Sequence, residues 1–241
     1  MLPTDETGGH RVWLRYTIES EIPASGLSLA LENRMDSTIL LDGSPVAAEE
    51  ATGYYADKSI ETIAFPDLTP GTHFLEIGLP FTSRTDLESC YLLGDFGVRV
   101  QGTKCVLTEA VRLLYFGDWC TQGLPFYGGN VVYQIPVEMP EACRLRVQAT
   151  KFRAPLWKVG PDVRAALAPY EMYVTLEKGK QILPLIVFGN RINTFGQVHN
   201  CDESLDWFGA ASWRTEGPAW SDAYCLHRMG LLKRPEICTA P

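Results

Sequence analysis

Residues 27–43 read LSLALENRMDSTILLDG. Leucine returns at every second position, so Leu27, Leu29 and Leu31 share one face of an extended strand. A polar stretch follows, and then a second apolar run that ends in a turn at Gly43. Residues 143–160, CRLRVQATKFRAPLWKVG, follow the same plan. Leu145, Val147 and Ala149 alternate with polar or charged neighbours, and the next strand ends at Gly160.

Period-two alternation continues outward from both stretches. VWLRYTI places Val12, Leu14, Tyr16 and Ile18 on one face, and HFLEIGLPF does so for His73, Leu75, Ile77, Leu79 and Phe81. VVYQIPV aligns Val131, Tyr133, Ile135 and Val137, and IETIAF is rich in strand formers. QILPLIVFG is nearly continuous apolar, which predicts a central strand buried on both faces, with Pro184 marking a bulge or an edge. PVAAEEA and DVRAALA allow about two helical turns each. A β/α barrel or a Rossmann domain needs strands alternating with longer helices, and that pattern is absent. The order of strands and turns in the first half recurs in the second at an offset of roughly 110–117 residues, a domain-sized period. YLLGDFGVRV and YCLHRMGLL stand as the matching closing strands. The fold class is therefore all-β, as two tandem jelly-roll sandwiches. Residues 1–104 form the first, with a frayed N-terminus, and residues 105–241 the second. TKCVLTEAVRLLYFGDW is expected to cross between them with its apolar side chains packed at the interface.

The 241 residues carry 29 acidic and 21 basic side chains, a net charge of −8. That balance argues against a nucleic-acid partner. No apolar run reaches the ~20 residues of a membrane span. MLPTDETGGH lacks the basic start and apolar core of a secretory leader. The cysteines number seven, an odd count, and none forms a C-x-x-C pair, which fits neither a disulfide framework nor a zinc knuckle. Free thiols in a reducing compartment are the expectation, and the chain reads as cytoplasmic.

Five segments carry a resemblance, in one order: GDWCTQGLPFYGGNVVYQIPV (117–137), KFRAPLWKVG (151–160), LAPYEMYV (167–174), FGNRINTFGQVHN (188–200) and YCLHRMGLL (224–232). Together they resemble the C-terminal β-sandwich region of large bacterial glycoside hydrolases of the α-L-rhamnosidase-like or sugar-binding-domain kind. LESCYLLGDFGV carries a fainter likeness in the first half. The resemblance implies a galactose-binding-like jelly roll. It also implies that the catalytic carboxylates belong to a separate barrel, which this chain lacks. The partners it implies are carbohydrate and the catalytic domain of a parent enzyme.

Glycoside hydrolysis needs two carboxyl groups roughly 5–10 Å apart. Glu88, Asp118, Glu171 and Asp202 are candidates that the sequence cannot pair. No G-x-S-x-G elbow is present, and nothing around Cys120 or Cys201 implies an activated thiol. His199, Cys201 and Asp202 lie close together but lack zinc spacing. No cofactor is expected, with a structural calcium held by loop oxygens as the alternative. Sugar recognition needs aromatic faces for the apolar side of a ring and amide, carboxylate, guanidinium or imidazole groups for its hydroxyls. Trp119, Tyr127, Asn130, Arg191, Asn193, His199, Asn200, Asp202, Trp207 and Trp213 supply both and form the candidate ligand-binding set. Each has a structural reading beside it. Asn190 and Asn193 serve as turn caps, Arg191 locks a corner through a buried carboxylate, and Trp157 and Tyr133 belong to the core. FGNRINTFGQVHN is then the exit corner of a central strand, and Trp213 and Trp220 sit in a long irregular loop of the kind that carries function. The rival readings are a free-standing glycan hydrolase with its site between the sandwiches and a purely structural interaction module.

Overall fold

In the first half of the chain, strands of alternating character pair edge to edge. The computed structural model describes residues 9–82, 85, 87–160, 164–204, 209 and 212–240. Ten strands come first: β1 (Arg11–Ser20), β2 (Leu27–Leu31), β3 (Thr38–Leu41), β4 (Ser44–Pro45), β5 (Gly53–Tyr55), β6 (Asp57–Phe65), β7 (Gly71–Pro80), β8 (Tyr91–Leu93), β9 (Gly97–Gln101) and β10 (Lys104–Thr108). They form one sheet in the order β4-β3-β7-β1-β10-β9 and a second in the order β5-β6-β2-β8. β1 and β7 run antiparallel from Arg11 opposite Pro80 to Ser20 opposite Gly71. Ile18, Ile39, Leu75, Ile77 and Leu79 from the first sheet share a buried cluster with Leu27, Leu29, Leu31, Ile63 and Phe65 from the second. Two sheets that bury their apolar faces against one another make a sandwich-like unit. The β3–β4 hairpin turns on Asp42 and Gly43, at φ 50° and 79°. A two-residue loop of the I′ kind has positive φ at both centres and matches the strand twist, which is why Asp-Gly stands there.

Six further strands build the second half: β11 (Val131–Met139), β12 (Cys143–Gln148), β13 (Trp157–Val159), β14 (Glu171–Leu176), β15 (Gly179–Val187) and β16 (Glu236–Thr239). The helix α1 (Ile192–Phe195) is a single turn. The sheets are β11-β15-β13 and β14-β12-β16. Tyr133, Trp157, Leu183, Leu185 and Val187 from one sheet and Leu145, Val147, Met172 and Leu176 from the other enclose the core with Trp119. Packing divides the chain into two units. One comprises Met1–Gly97 with Cys105–Ala110, and the other Val98–Lys104 with Val111–Pro241.

Each unit contains the same six-strand connectivity. β1, β2, β3, β6, β7 and β8 pair as β3-β7-β1 and β6-β2-β8. β11 to β16 pair as β13-β15-β11 and β14-β12-β16, and all the corresponding pairs are antiparallel. The repeat read from the sequence thus reappears as repeated topology. The connections differ most at one place. Residues 81–90 join β7 to β8, whereas residues 188–235 join β15 to β16.

Three expectations need correction. β15 is central in its sheet but buried on one face only: Leu183, Leu185 and Val187 are buried, while Ile182 is 54% exposed. Pro184 is tolerated there because its carbonyl accepts from Gly160 N–H (2.9 Å). A strand residue directs its N–H and C=O to the same side, so the missing N–H faces the edge where β13 has just ended. YCLHRMGLL is not a strand; the closing strand is EICT of β16, and Gly230 makes an isolated bridge to Arg153. PVAAEEA forms no helix, and neither do residues 164–168 of DVRAALA. In the crossing segment Leu114 and Phe116 pack against the second core, and Leu113 and Tyr115 are exposed. No helix among the described residues is long and apolar enough to cross a membrane. None of the seven cysteines forms a disulfide.

Candidate functional site

Asp118 and Asn193 hold the exit corner of β15 together. The Asp118 carboxylate accepts from the backbone N–H groups of Cys120 (3.0 Å) and Met229 (3.1 Å). The Asn193 amide donates to the His227 carbonyl at 2.7 Å and accepts from His227 N–H at 2.9 Å. It also donates to the Cys120 sulfur at 3.3 Å. Asn193 is buried, and Trp119 is 0% exposed within the core. Both therefore brace the fold here and present nothing to a ligand. Burial, followed by the neighbouring Asp118 charge, pushes the Cys120 thiol up to about 12. It is an inert core thiol.

The loop before β11 and the excursion after β15 do meet. Gly189 lies against the Gly128 and Gly129 carbonyls so closely that an added Cβ would collide with both. Asn130 accepts from Gly189 N–H (3.2 Å), Thr194 donates to the Phe126 carbonyl (2.8 Å), and Tyr127 donates to the Asn130 carbonyl (3.3 Å) while staying 44% exposed. Asn190 caps the corner by accepting from Ile192 N–H (3.0 Å). Arg191 makes no ion pair among the described residues; its guanidinium lies 5.9 Å from the Phe195 ring centroid.

Further along, the His199 ring packs 4.9 Å from Trp220 and 4.8 Å from Tyr224. His199 Nδ1 lies 3.0 Å from the Ser221 carbonyl. Asn200 donates to Gln197 and Ser212 and accepts from Asp202 N–H. The Asp202 carboxylate accepts from Ser204, whose hydroxyl and N–H hold it below the usual carboxylate range. Cys201 turns to the Pro218 carbonyl. Among the described residues no three metal-ligating side chains converge. Trp213 is 58% exposed, and Trp207 lies outside the described residues. The described members of the set are thus drawn into one region of the second unit, but most of their polar groups already have partners within the chain.

An open cleft of about 680 Å³ in the same unit shows the opposite state. It is lined by Lys151, Phe152, Arg153, Tyr170, Glu203 and Arg228, among others. Arg153 and Gly230 exchange backbone hydrogen bonds at 2.8 Å each way, and Lys233 N–H donates to the Lys151 carbonyl at 3.2 Å. Arg228 stands two residues before Gly230. It lines the same cleft as Arg153. Among the described residues the side chains of Lys151, Arg153 and Arg228 make no ion pair. Phe152 and Tyr170 meet edge to face at 5.0 Å. Tyr170 is 43% exposed and has φ 61°, a left-handed backbone rare for a bulky residue. Leu167 O and Ala149 N–H hold it there. His227, beside the cleft, is shifted below the usual imidazole range by burial and then by the Arg153 charge.

Sequence reasoning passed over these residues. The run Lys-Phe-Arg at 151–153 was the one local signal, a basic–aromatic–basic triplet after a strand. Tyr170, Glu203 and Arg228 are remote in sequence and join it only through the fold. No protein-family model matches the chain, and a search of the curated proteins finds no match.

Proposed function

We propose that this chain is a non-catalytic carbohydrate-binding or bracing accessory region of a glycoside hydrolase-like protein, built from two galactose-binding-like jelly rolls. The observation that carries the reading is the cleft. It offers an exposed tyrosine face for the apolar side of a sugar ring, and for its oxygens cationic donors that make no ion pair among the described residues. The strain held at Tyr170 supports it, because bulky residues keep such angles where function maintains them, at a cost of about 1–3 kcal/mol. The order of the motifs across the second unit supports the family reading. Among the described lining residues Glu203 is the single carboxyl, whereas hydrolysis of a glycosidic bond uses two, which favours binding over turnover. Leu113 and Tyr115, 68% and 70% exposed, are the kind of apolar surface that a neighbouring catalytic domain would cover.

Calorimetric titration with rhamnose-, galactose- and glucuronate-containing oligosaccharides tests the proposal. At least one is expected to bind, and Tyr170→Asn is expected to abolish its heat with little change in Tm, because asparagine accepts the left-handed backbone. Absence of heat from every glycan overturns carbohydrate binding and leaves the bracing role.

A further inference from the structure

Resting on the carbohydrate-binding reading, we infer that the cleft selects glycans bearing a carboxylate, of the uronate class. The chain as a whole is acidic, with a net charge of −8. Against that background three cationic side chains line one cleft and none is neutralised by a carboxylate of the described chain. Lys151, Arg153 and Arg228 belong to two segments joined by the bridge between Arg153 and Gly230 and by the Lys233–Lys151 backbone hydrogen bond. Their backbones are therefore fixed relative to one another before any ligand arrives. Guanidinium groups recognise a planar carboxylate through two parallel N–H donors, a geometry that a neutral hydroxymethyl group cannot return. Tyr170, packed against Phe152, supplies the apolar contact that an inorganic anion would not use. Glu203 lies in the same cleft without an ion pair to these cations. It is placed to accept from sugar hydroxyls and to disfavour a densely anionic ligand. A glycan in which an acidic sugar alternates with neutral ones satisfies all of these groups.

The test is calorimetry on the full chain with three matched oligosaccharides. One carries glucuronate, the second is the same compound with its carboxyl reduced to an alcohol, and the third is sulfated. The glucuronate form is expected to bind roughly ten-fold tighter than the reduced form, a difference of about 1.4 kcal/mol. Arg153→Gln and Arg228→Gln are each expected to erase that preference while leaving the weak binding of the reduced form, with Tm unchanged. Raising the salt concentration should narrow the preference. Equal binding of the acidic and reduced forms overturns this inference and leaves the carbohydrate reading standing. Heat from none of the three overturns both. Tight binding of the sulfated form, competed by inorganic phosphate alone, marks a general anion site and also overturns the selection proposed here.

Discussion

Both ring nitrogens of His73 face acceptors: Nδ1 lies 2.7 Å from an Asp42 carboxylate oxygen and Nε2 lies 2.8 Å from the Thr69 carbonyl. A neutral imidazole donates from one nitrogen only, so the cation fits this site best. The Asp42 hydrogen bond, followed by the Thr69 carbonyl, raises the His73 pKa. His73 and then Phe74 N–H hold the Asp42 carboxyl below its usual range. The His73 contribution to stability is complete below its unfolded value near pH 6.5 and is lost as pH rises through the higher folded value. The Asp42 contribution is present above about pH 4 and is lost as pH falls through its lower folded value. Asp42 is 45% exposed, so screening limits the pair to about 1 kcal/mol or less. His73→Gln should therefore cost most between about pH 4 and 6.5 and nearly nothing at pH 9, as urea melts of both proteins across pH will show. A penalty that does not vary with pH would refute the ionic role. Thiol chemistry is equally local. Cys201 and Cys238 are exposed, whereas burial pushes Cys90 up to about 11 and Cys120 to about 12. Maleimide at neutral pH should label the first two and spare Cys90 and Cys120 until the chain is unfolded, as mass spectrometry will count. At this scale the sequence could be read for side-chain type but not for partner. Asn193 looks like a sugar ligand by chemistry, and its anchoring to His227 depends on a contact between distant segments.

The strands were the legible elements. Alternation in β1, β2, β7, β11 and β12 named the buried face residue by residue, because a side-chain period of two is imposed by the pleat. β16 was not legible, since EICT is short and gains its strand geometry by lying along β12, with Ile237 opposite Val147. The one-face burial of β15 was hidden for a related reason. Ile182 and Ile186 suggest a second buried face, yet Ile182 stays exposed. The corner between β15 and α1 depends on Gly189, where a methyl group would drive into the Gly128 and Gly129 carbonyls. Backbone cannot yield as a flexible side chain does. Gly189→Ala should destabilise the second unit by about 1–3 kcal/mol, measured as a lower midpoint in chemical denaturation. A midpoint within error of the parent would show that the two loops separate freely.

At the scale of the whole molecule, sheet pairing joins residues far apart in sequence, such as Leu145 with Thr239 and Val12 with Leu79. Closing such loops precedes the contacts that reward them, so refolding should proceed in milliseconds to seconds or more slowly, as stopped-flow tryptophan fluorescence will report. A microsecond phase that restores the full signal would contradict this topology. The all-β class and the repetition were readable because both follow from pattern. The cleft was not, because its cations and its tyrosine come from segments that no motif connects. The unequal links between the last two strands of the shared pattern, residues 81–90 in one unit and 188–235 in the other, carry an evolutionary corollary. Where a scaffold exists in two copies, one can remain a plain framework while its twin accumulates an ornate insertion, so novelty is gained without endangering the original architecture.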